Sequence, residues 1–560
     1  SVTDALGNKT TYVYDGNGNR TSETDANGRT TTYAYDAYNR LIQITDPLGH
    51  TTSYTYDSRD NRTRMVDANG RTTIYTYNIL DRLIRETNAL GGQTNYTYDA
   101  AGNVLTITDA CGNTTTFTYD AMNHKVSQTN AVGETTSFAY DAAGNLVTTT
   151  LPNGNTIART YDALGRLTAL SDSLGAIAGY TYDLADRQLT ATDALGNTTT
   201  YAYDALGRVV QNTDPTGNSM SYAYDAVSRL TTLTDREGNA TTFTYDALGR
   251  KASETDALGN TTAYTYDGVG NLMSITDALG HTTSYNYDAL NRLTQETYAD
   301  ATTRSLTYDA VGNMISRTDQ KGQVTAYVYD ALNRRTKADY PGANDSLYTY
   351  DCAGNISTTN NSNATISFAY DNIYRLTQSI QNGETVAYSH NTAGGTKTIA
   401  YPGGKVVKEI QDPRGLLTRV ENASAQPIVQ YAYEATNRVQ TKTYLNGVVG
   451  NFTHNPNGWI TQLTYDRGGS QILGFQYGFD SEGNRLYARM LHNTANSEQY
   501  IYDAKYRLVQ FKRGTLDGSG NVTVPVTQTT YNLDALSNWT SKTTDGVTEN
   551  RPHNNMNELV

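Results

Sequence analysis

The sequence predicts an all-β fold: tandem 21-residue β-hairpin repeats laid side by side in one long antiparallel sheet. Three observations carry that reading. A Tyr-Asp pair recurs every 21 residues, one turn column accepts Gly, Asn or Asp and almost nothing else, and a second turn column is Gly in nearly every repeat.

The first element of the repeat is a strand ending in the Tyr-Asp pair. The phase runs from Tyr14-Asp15 through Tyr35, Tyr56, Tyr203, Tyr224 and Tyr266 to Tyr350 without an insertion, and Tyr77-Asn78 is its one break. A second aromatic row stands two residues earlier, as Tyr33, Tyr54, Tyr201, Tyr222 and Tyr264, with Phe at 117, 138 and 243. Residues two apart on a strand share a face, so Tyr-x-Tyr predicts two rings side by side, with Thr and Ala opposite.

A turn follows, of the form Asp-Ala-Leu-Gly-Arg. Its fourth position is Asn39, Asp60, Gly207, Ser228 and Gly249 in different copies, residues that tolerate a left-handed backbone, which predicts φ > 0 there. The next strand reads Arg40-Leu41-Ile42-Gln43-Ile44-Thr45 or an equivalent. The closing turn, such as Asp193-Ala194-Leu195-Gly196, keeps its glycine at Gly49, Gly70, Gly196 and Gly259, and its leading Asp reads as an Asx-type cap. Strands joined by such short turns are antiparallel, and helical periodicity is absent.

Composition supports strands and turns and excludes several functions. The chain has 560 residues, 46 Tyr, 8 Phe and 2 Trp, with 18% charged residues, so it does not read as disordered. A net charge of −13 argues against nucleic acid and anionic membrane surfaces. No apolar stretch approaches the ~20 residues of a spanning helix. The aliphatic content is thin for a thick core, and sheet twist disfavours a long flat ribbon, so the sheet is expected to coil into a hollow shell or tube. The excess of Tyr over Phe favours a wall facing a water-filled interior, since a tyrosine ring packs while its hydroxyl stays hydrated. Cys111 and Cys352 occupy different places in the repeat and read as two separate packing residues.

Beyond Tyr370-Asp371 the spacing slips to 20 and the pattern loosens. The chain is accordingly divided into a regular array, residues 1–376, and a divergent part, residues 377–560, that continues the same sheet. It opens at Ser1, part-way through a repeat and without Met, as a piece of a longer polypeptide would.

Units such as Tyr201-Ala202-Tyr203-Asp204-Ala205-Leu206-Gly207-Arg208 resemble the YD repeat of the bacterial Rhs family, which includes polymorphic toxins, insecticidal toxin-complex B and C components and wall-associated proteins; teneurins carry a divergent version. The stretch Asn554-Asn555-Met556-Asn557-Glu558 also resembles late repeats of that family. The resemblance implies a ribbon that spirals into a shell around a C-terminal toxin or effector region, in a secreted or cell-surface bacterial protein. The self-cleaving core with a Gly-Arg-Tyr-Tyr-Asp-Pro motif that precedes the toxin in such proteins is not found; the Asp-Pro pairs at 46, 214 and 412 lie in repeat turns or loops.

The remaining signals read as structure. Recurrent Asp columns are turn caps in preference to calcium ligands, and His50 and His281 are turn variants filling an Asn/Arg column. No His-Glu-x-x-His, Cys-x-x-Cys, P-loop or Gly-x-Ser-x-Gly pattern occurs. The expectation is therefore a non-catalytic scaffold with no catalytic residues, metal or cofactor. Its partner is the effector region of the same polypeptide. The alternative is a surface adhesion fibre whose Tyr rows bind glycans or cell-surface proteins.

Overall fold

The computed structural model describes residues 1–342, 344–555 and 558–559. Met556 and Asn557 of the Asn554–Glu558 stretch lie outside them. The described residues form 52 β-strands and two short 3-10 turns, and each strand pairs antiparallel with its neighbours in sequence, so sheet order is chain order.

In the regular repeats a six-residue strand ending in Tyr alternates with a five-residue strand, as in Thr30–Tyr35 and Leu41–Thr45, or Thr198–Tyr203 and Val209–Thr213. The register explains the curvature. Tyr33 pairs with Ile44 and Ala34 with Gln43, but Tyr35 pairs with Leu41, leaving Ile42 as a bulge. The same shift recurs at Tyr56, Tyr203, Tyr224 and Tyr266. A bulge bends its strand and increases local twist. One bulge per repeat, always in the same place, turns the ribbon in a constant sense.

The turns have the geometry of three-residue hairpin loops, in which a type I turn is followed by one left-handed residue. Gly49 N–H donates to Asp46 O at 2.9 Å, Asp46 N–H donates to His50 O at 2.9 Å, and Gly49 has φ 85°. The positive-φ column holds Asn39 at 62°, Asp60 at 69° and Ser228 at 70°, as the side-chain choice predicts. The leading carboxylate caps the loop: Asp193 Oδ1 accepts from the amides of Leu195 and Asn197, both at 2.9 Å.

Bending closes the ribbon on itself. Asn27 meets Asp267 and Arg29 meets Asn291, separations of 240 and 262 residues. At 21 residues per repeat, one wrap takes about twelve repeats, or roughly 24 strands. The turns after the Tyr-Asp strands line one edge of the ribbon, hereafter the lower edge; the second turns line the upper edge. The upper edge of one wrap abuts the lower edge of the next, and this spiral seam continues through Asp172–Arg414 and Asp256–Lys505 to Ala299–Asn555.

No conventional core forms. Among the described residues only Ala338, Ile399, Val429, Ala488, Leu516 and Val522 are buried apolar residues. The wall is one sheet thick, and most ladder residues are half-buried. The sheet runs unbroken across residue 376: Leu376–Gln381 pairs with Thr365–Tyr370 on one side and Glu384–Asn391 on the other. Further on, strands lengthen, to ten residues in Ser470–Phe479 and twelve in Val522–Leu533. Among the described residues no helix is long and apolar enough to cross a membrane.

Candidate functional site: the wall lattice and its seam

Each repeat is tied to the next by the same three contacts. First, the hydroxyl of the Tyr-Asp tyrosine donates to a backbone carbonyl of the preceding repeat: Tyr35 to Arg20, Tyr56 to Leu41, Tyr203 to Gln188, Tyr224 to Val209 and Tyr266 to Lys251, at 2.7–3.0 Å. Second, the turn arginine grips its own Asp: Arg208 Nε donates to Asp204 Oδ2 at 2.6 Å. Third, that arginine reaches forward, donating to Asp225 O at 3.0 Å and lying 4.7 Å from the Tyr224 ring centroid. Where Asn replaces Arg, the amide bridges instead, as Asn61 does from Asp57 to Asp81. Arg208 holds the Asp204 carboxyl below the usual carboxylate range, and burial raises the Tyr203 hydroxyl above the usual tyrosine range.

The earlier row, with Tyr33, Tyr54, Tyr201, Tyr222 and Tyr264, is held differently. Arg20 lies 4.7 Å from the Tyr33 ring, Arg62 5.6 Å from Tyr54 and Lys251 4.7 Å from Tyr264. A ring suffices for such contacts, so Phe117, Phe138 and Phe243 occur in this row and Lys125 and Lys251 cover them. The excess of Tyr over Phe, read from composition as the mark of a hydrated interior, thus has a cause within the wall: one row needs a hydroxyl donor. The turn glycines Gly49, Gly70, Gly196, Gly207, Gly249 and Gly259 all have φ between 79° and 85°. His50 and His124 hold the turn Asp through Nδ1, at 2.9 and 3.1 Å, in place of Asn or Arg.

The seam is polar and specific. Asn27 and Asn69 each donate to a lower-edge carboxylate, Asp267 and Asp309, at 2.9 Å. Arg414 makes two bonds to Asp172 at 2.6 and 2.7 Å, and that carboxylate is only 1% exposed. Arg414 lowers the Asp172 pKa through these bonds. Lys505 reaches Asp256 at 2.7 Å. Two tyrosines cross the seam, Tyr374 to Asp109 and Asn113 and Tyr506 to Asp235 and Asn239.

These seam residues were not found by sequence reasoning, though a signal existed. Tyr374 and Tyr506 occupy the left-handed turn column, at φ 68° and 61°, where a bulky ring is costly. An aromatic in that column marks a side chain wanted for a contact outside its own turn.

The cysteines correct the sequence expectation. Cys111 and Cys352 form a disulfide, with Cα atoms 5.2 Å apart and 241 residues between them. Their different places in the repeat, taken as a reason for separate roles, are what the winding requires: Cys111 sits in an upper-edge turn and Cys352 in the lower-edge turn that lands on it.

A cleft of about 780 Å³ opens across the seam. Asn218 and Glu237 of the first wrap face Trp459, Tyr477, Tyr487 and Tyr502. Tyr487 lies flat on Gly478 and Gly520, where an added Cβ would fall 2.1 and 2.2 Å from the ring.

A family model described as RHS Repeat matches residues 1–30, 14–51, 35–72, 224–261, 266–303 and 308–345. A second, described as Teneurin YD-shell, matches residues 59–201. No curated protein matches the sequence. Among solved structures, the chain is similar to a TcdB2-TccC3 complex, at 14% identity and a TM-score of 0.41, over 100% of this chain and 42% of that one. It is also similar to the Tc holotoxin pore of Photorhabdus luminescens, at 14% identity and a TM-score of 0.38, over 98% and 32%. The chain spans less than half the length of these structures.

Proposed function

We propose that this chain, which belongs to the YD-repeat (Rhs-repeat) family, is a non-catalytic wall that encloses a toxin or effector region of its own polypeptide. The observation that carries the reading is the seam: a ribbon that closes on itself every twelve repeats, with almost no buried apolar side chains, makes an enclosure and not a globule. The ladder tyrosines, turn arginines and turn glycines are the parts that keep the wall continuous.

Size limits the contents. At about 4.8 Å between strands, roughly 24 strands give a perimeter near 115 Å and, after allowing for a wall about 10 Å thick, a bore of about 25 Å. A folded 100-residue domain is roughly 34 Å across. The cargo is therefore an extended chain or a slender helical segment. The seam disulfide supports a secreted or surface location, since such bonds persist in oxidising compartments.

The test joins a protease-sensitive reporter peptide to the C-terminus. Within an intact wall it survives a protease that degrades the free peptide, and it is lost once urea opens the seam. Cleavage at the rate of the free peptide would end the enclosure reading.

The cleft supports a second reading, in which an outer surface binds glycans. Its aromatic rings beside Asn218 and Glu237 offer stacking faces and hydrogen-bond partners for a sugar. Strong signal on a glycan array, lost on Trp459→Ala, would favour adhesion over enclosure alone.

A further inference from the structure

The third residue of the Tyr-Asp turn changes its surroundings at one point in the chain. In the first wrap it is exposed: Tyr38 is 77% exposed, Leu80 61%, Met122 68%, Leu164 69%, Leu206 70% and Val227 69%. From residue 248 onward the same column is half-buried, at Leu248, Leu290, Leu332 and Ile373. The turn, its cap and its backbone are the same on both sides of the change. What differs is the neighbour. From residue 248 on, the column rests against the upper edge of the wrap below, and in the first wrap the corresponding edge is bare.

The first wrap therefore ends in a crown of large apolar residues on the lower edge, rimmed by carboxylates and amides. A contiguous apolar rim of that kind marks an interaction surface. The seam shows what covers such a rim: turns of the form Asp-x-x-Gly-Asn/Arg, whose side chains reach the carboxylates and amides between the apolar residues, as Asn27 reaches Asp267 and Arg29 reaches Asn291. Asp15 and Asn39 are the first-wrap equivalents of those acceptors, 252 residues earlier, or twelve repeats.

A second copy of the chain does not supply that chemistry. Its free upper edge carries Tyr298-Ala299-Asp300, Tyr401-Pro402-Gly403, Asn422-Ala423-Ser424 and Tyr444-Leu445-Asn446, with the Asp-x-x-Gly-Asn pattern lost. The upper-edge turns are regular up to residue 281, where they meet the seam, and irregular where they do not. The lower-edge turns keep a leading Asp, Asn or Glu at 412, 434, 455, 480, 503 and 534, where they do meet it.

We propose that the first-wrap crown is a docking surface for a partner of one chemistry, the edge of a further wrap of YD ribbon that presents Asp-x-x-Gly-Asn turns. The contact extends the existing seam by one turn and lengthens the enclosure without a new kind of interface.

The period of the repeat provides the probe. Residues 1–252, duplicated in phase ahead of the full chain with the copied Cys111 replaced by Ser, set regular upper-edge turns over the crown. Leu80→Cys and Leu164→Cys, made singly in the original first wrap, report on cover through their rate of reaction with a thiol reagent. Leu445→Cys on the free upper edge is the control. Both crown cysteines should react about tenfold or more slowly in the extended protein than in the original, with the control unchanged. Unchanged crown labelling in a folded extended protein overturns the proposal. Crown protection in the original protein that grows with concentration, accompanied by a dimer mass, overturns it in favour of a second copy. A second measurement needs no extension. Leu290→Asp and Leu332→Asp should speed proteolysis at the seam, whereas Leu80→Asp should not. Equal, negligible effects would show that the column is not adhesive, and the proposal would fall.

Discussion

Two tyrosines two residues apart in one strand carry different duties. Tyr203 donates its hydroxyl to the Gln188 carbonyl at 2.7 Å, whereas Tyr201 stands in the row that elsewhere accepts Phe. Tyr203→Phe removes a half-buried donor and leaves a carbonyl unsatisfied, costing about 1 kcal/mol. Tyr201→Phe should fall within about 0.5 kcal/mol of the parent. Hydrogen exchange of the flanking strand amides measures both, and equal effects would refute the division. The sequence displayed this difference, in that Phe enters one row and not the other through residue 350, but composition alone suggested hydration of a lumen. The positive-φ column was legible for a stronger reason. Side-chain choice at Asn39, Asp60 and Ser228 reports backbone sterics directly, with no knowledge of the partner. The hydroxyl bond needs the register, and the register includes a bulge that leaves no mark on the repeat length.

At the level of the element, a hairpin is specified locally and the seam is not. Turn caps lie four residues from their partners; seam partners lie 240 or more away, at a distance set by how far each bulge bends the ribbon. A few degrees of extra bend per repeat would bring different turns together, which is why Asp172 and Arg414 could not be paired from sequence. Their pair predicts a pH response. Asp172 has a lowered folded pKa because Arg414 bonds its carboxylate. For a depressed carboxyl, the stabilisation is complete above the unfolded value of about 3.9 and is lost as pH falls through the folded value. The seam should thus hold at neutral pH and loosen in acid below about pH 4. Asp172→Asn leaves the guanidinium without its charge partner and should cost about 3–5 kcal/mol at neutral pH. The variant should also flatten the acid limb of a stability curve. An acid limb equal to the parent's would mean that other carboxylates govern it.

Over the whole molecule, stability is a sum of repeat and neighbour terms, so one global unfolding energy is not the natural quantity. Hairpins hold themselves along the ribbon, and the seam holds wraps together across it. The disulfide belongs to the second set alone, joining the turns at 109–113 and 351–355. Closing a loop of 241 residues stabilises by about 3–5 kcal/mol in the chain-entropy account, because the open state of the wound ribbon has the freedom of a whole wrap. Reduction, or Cys111→Ser with Cys352→Ser, should therefore leave strand content intact while letting the first two wraps part near that point. Exchange of the Gly112 and Gly354 amides should quicken by tenfold or more, about 1.4 kcal/mol, with little change at Gly207 on the bare lower edge. Uniform quickening along the chain would show that the bond supports the hairpins themselves. No change at either glycine would show that Tyr374, with Asp109 and Asn113, already holds the wraps without it.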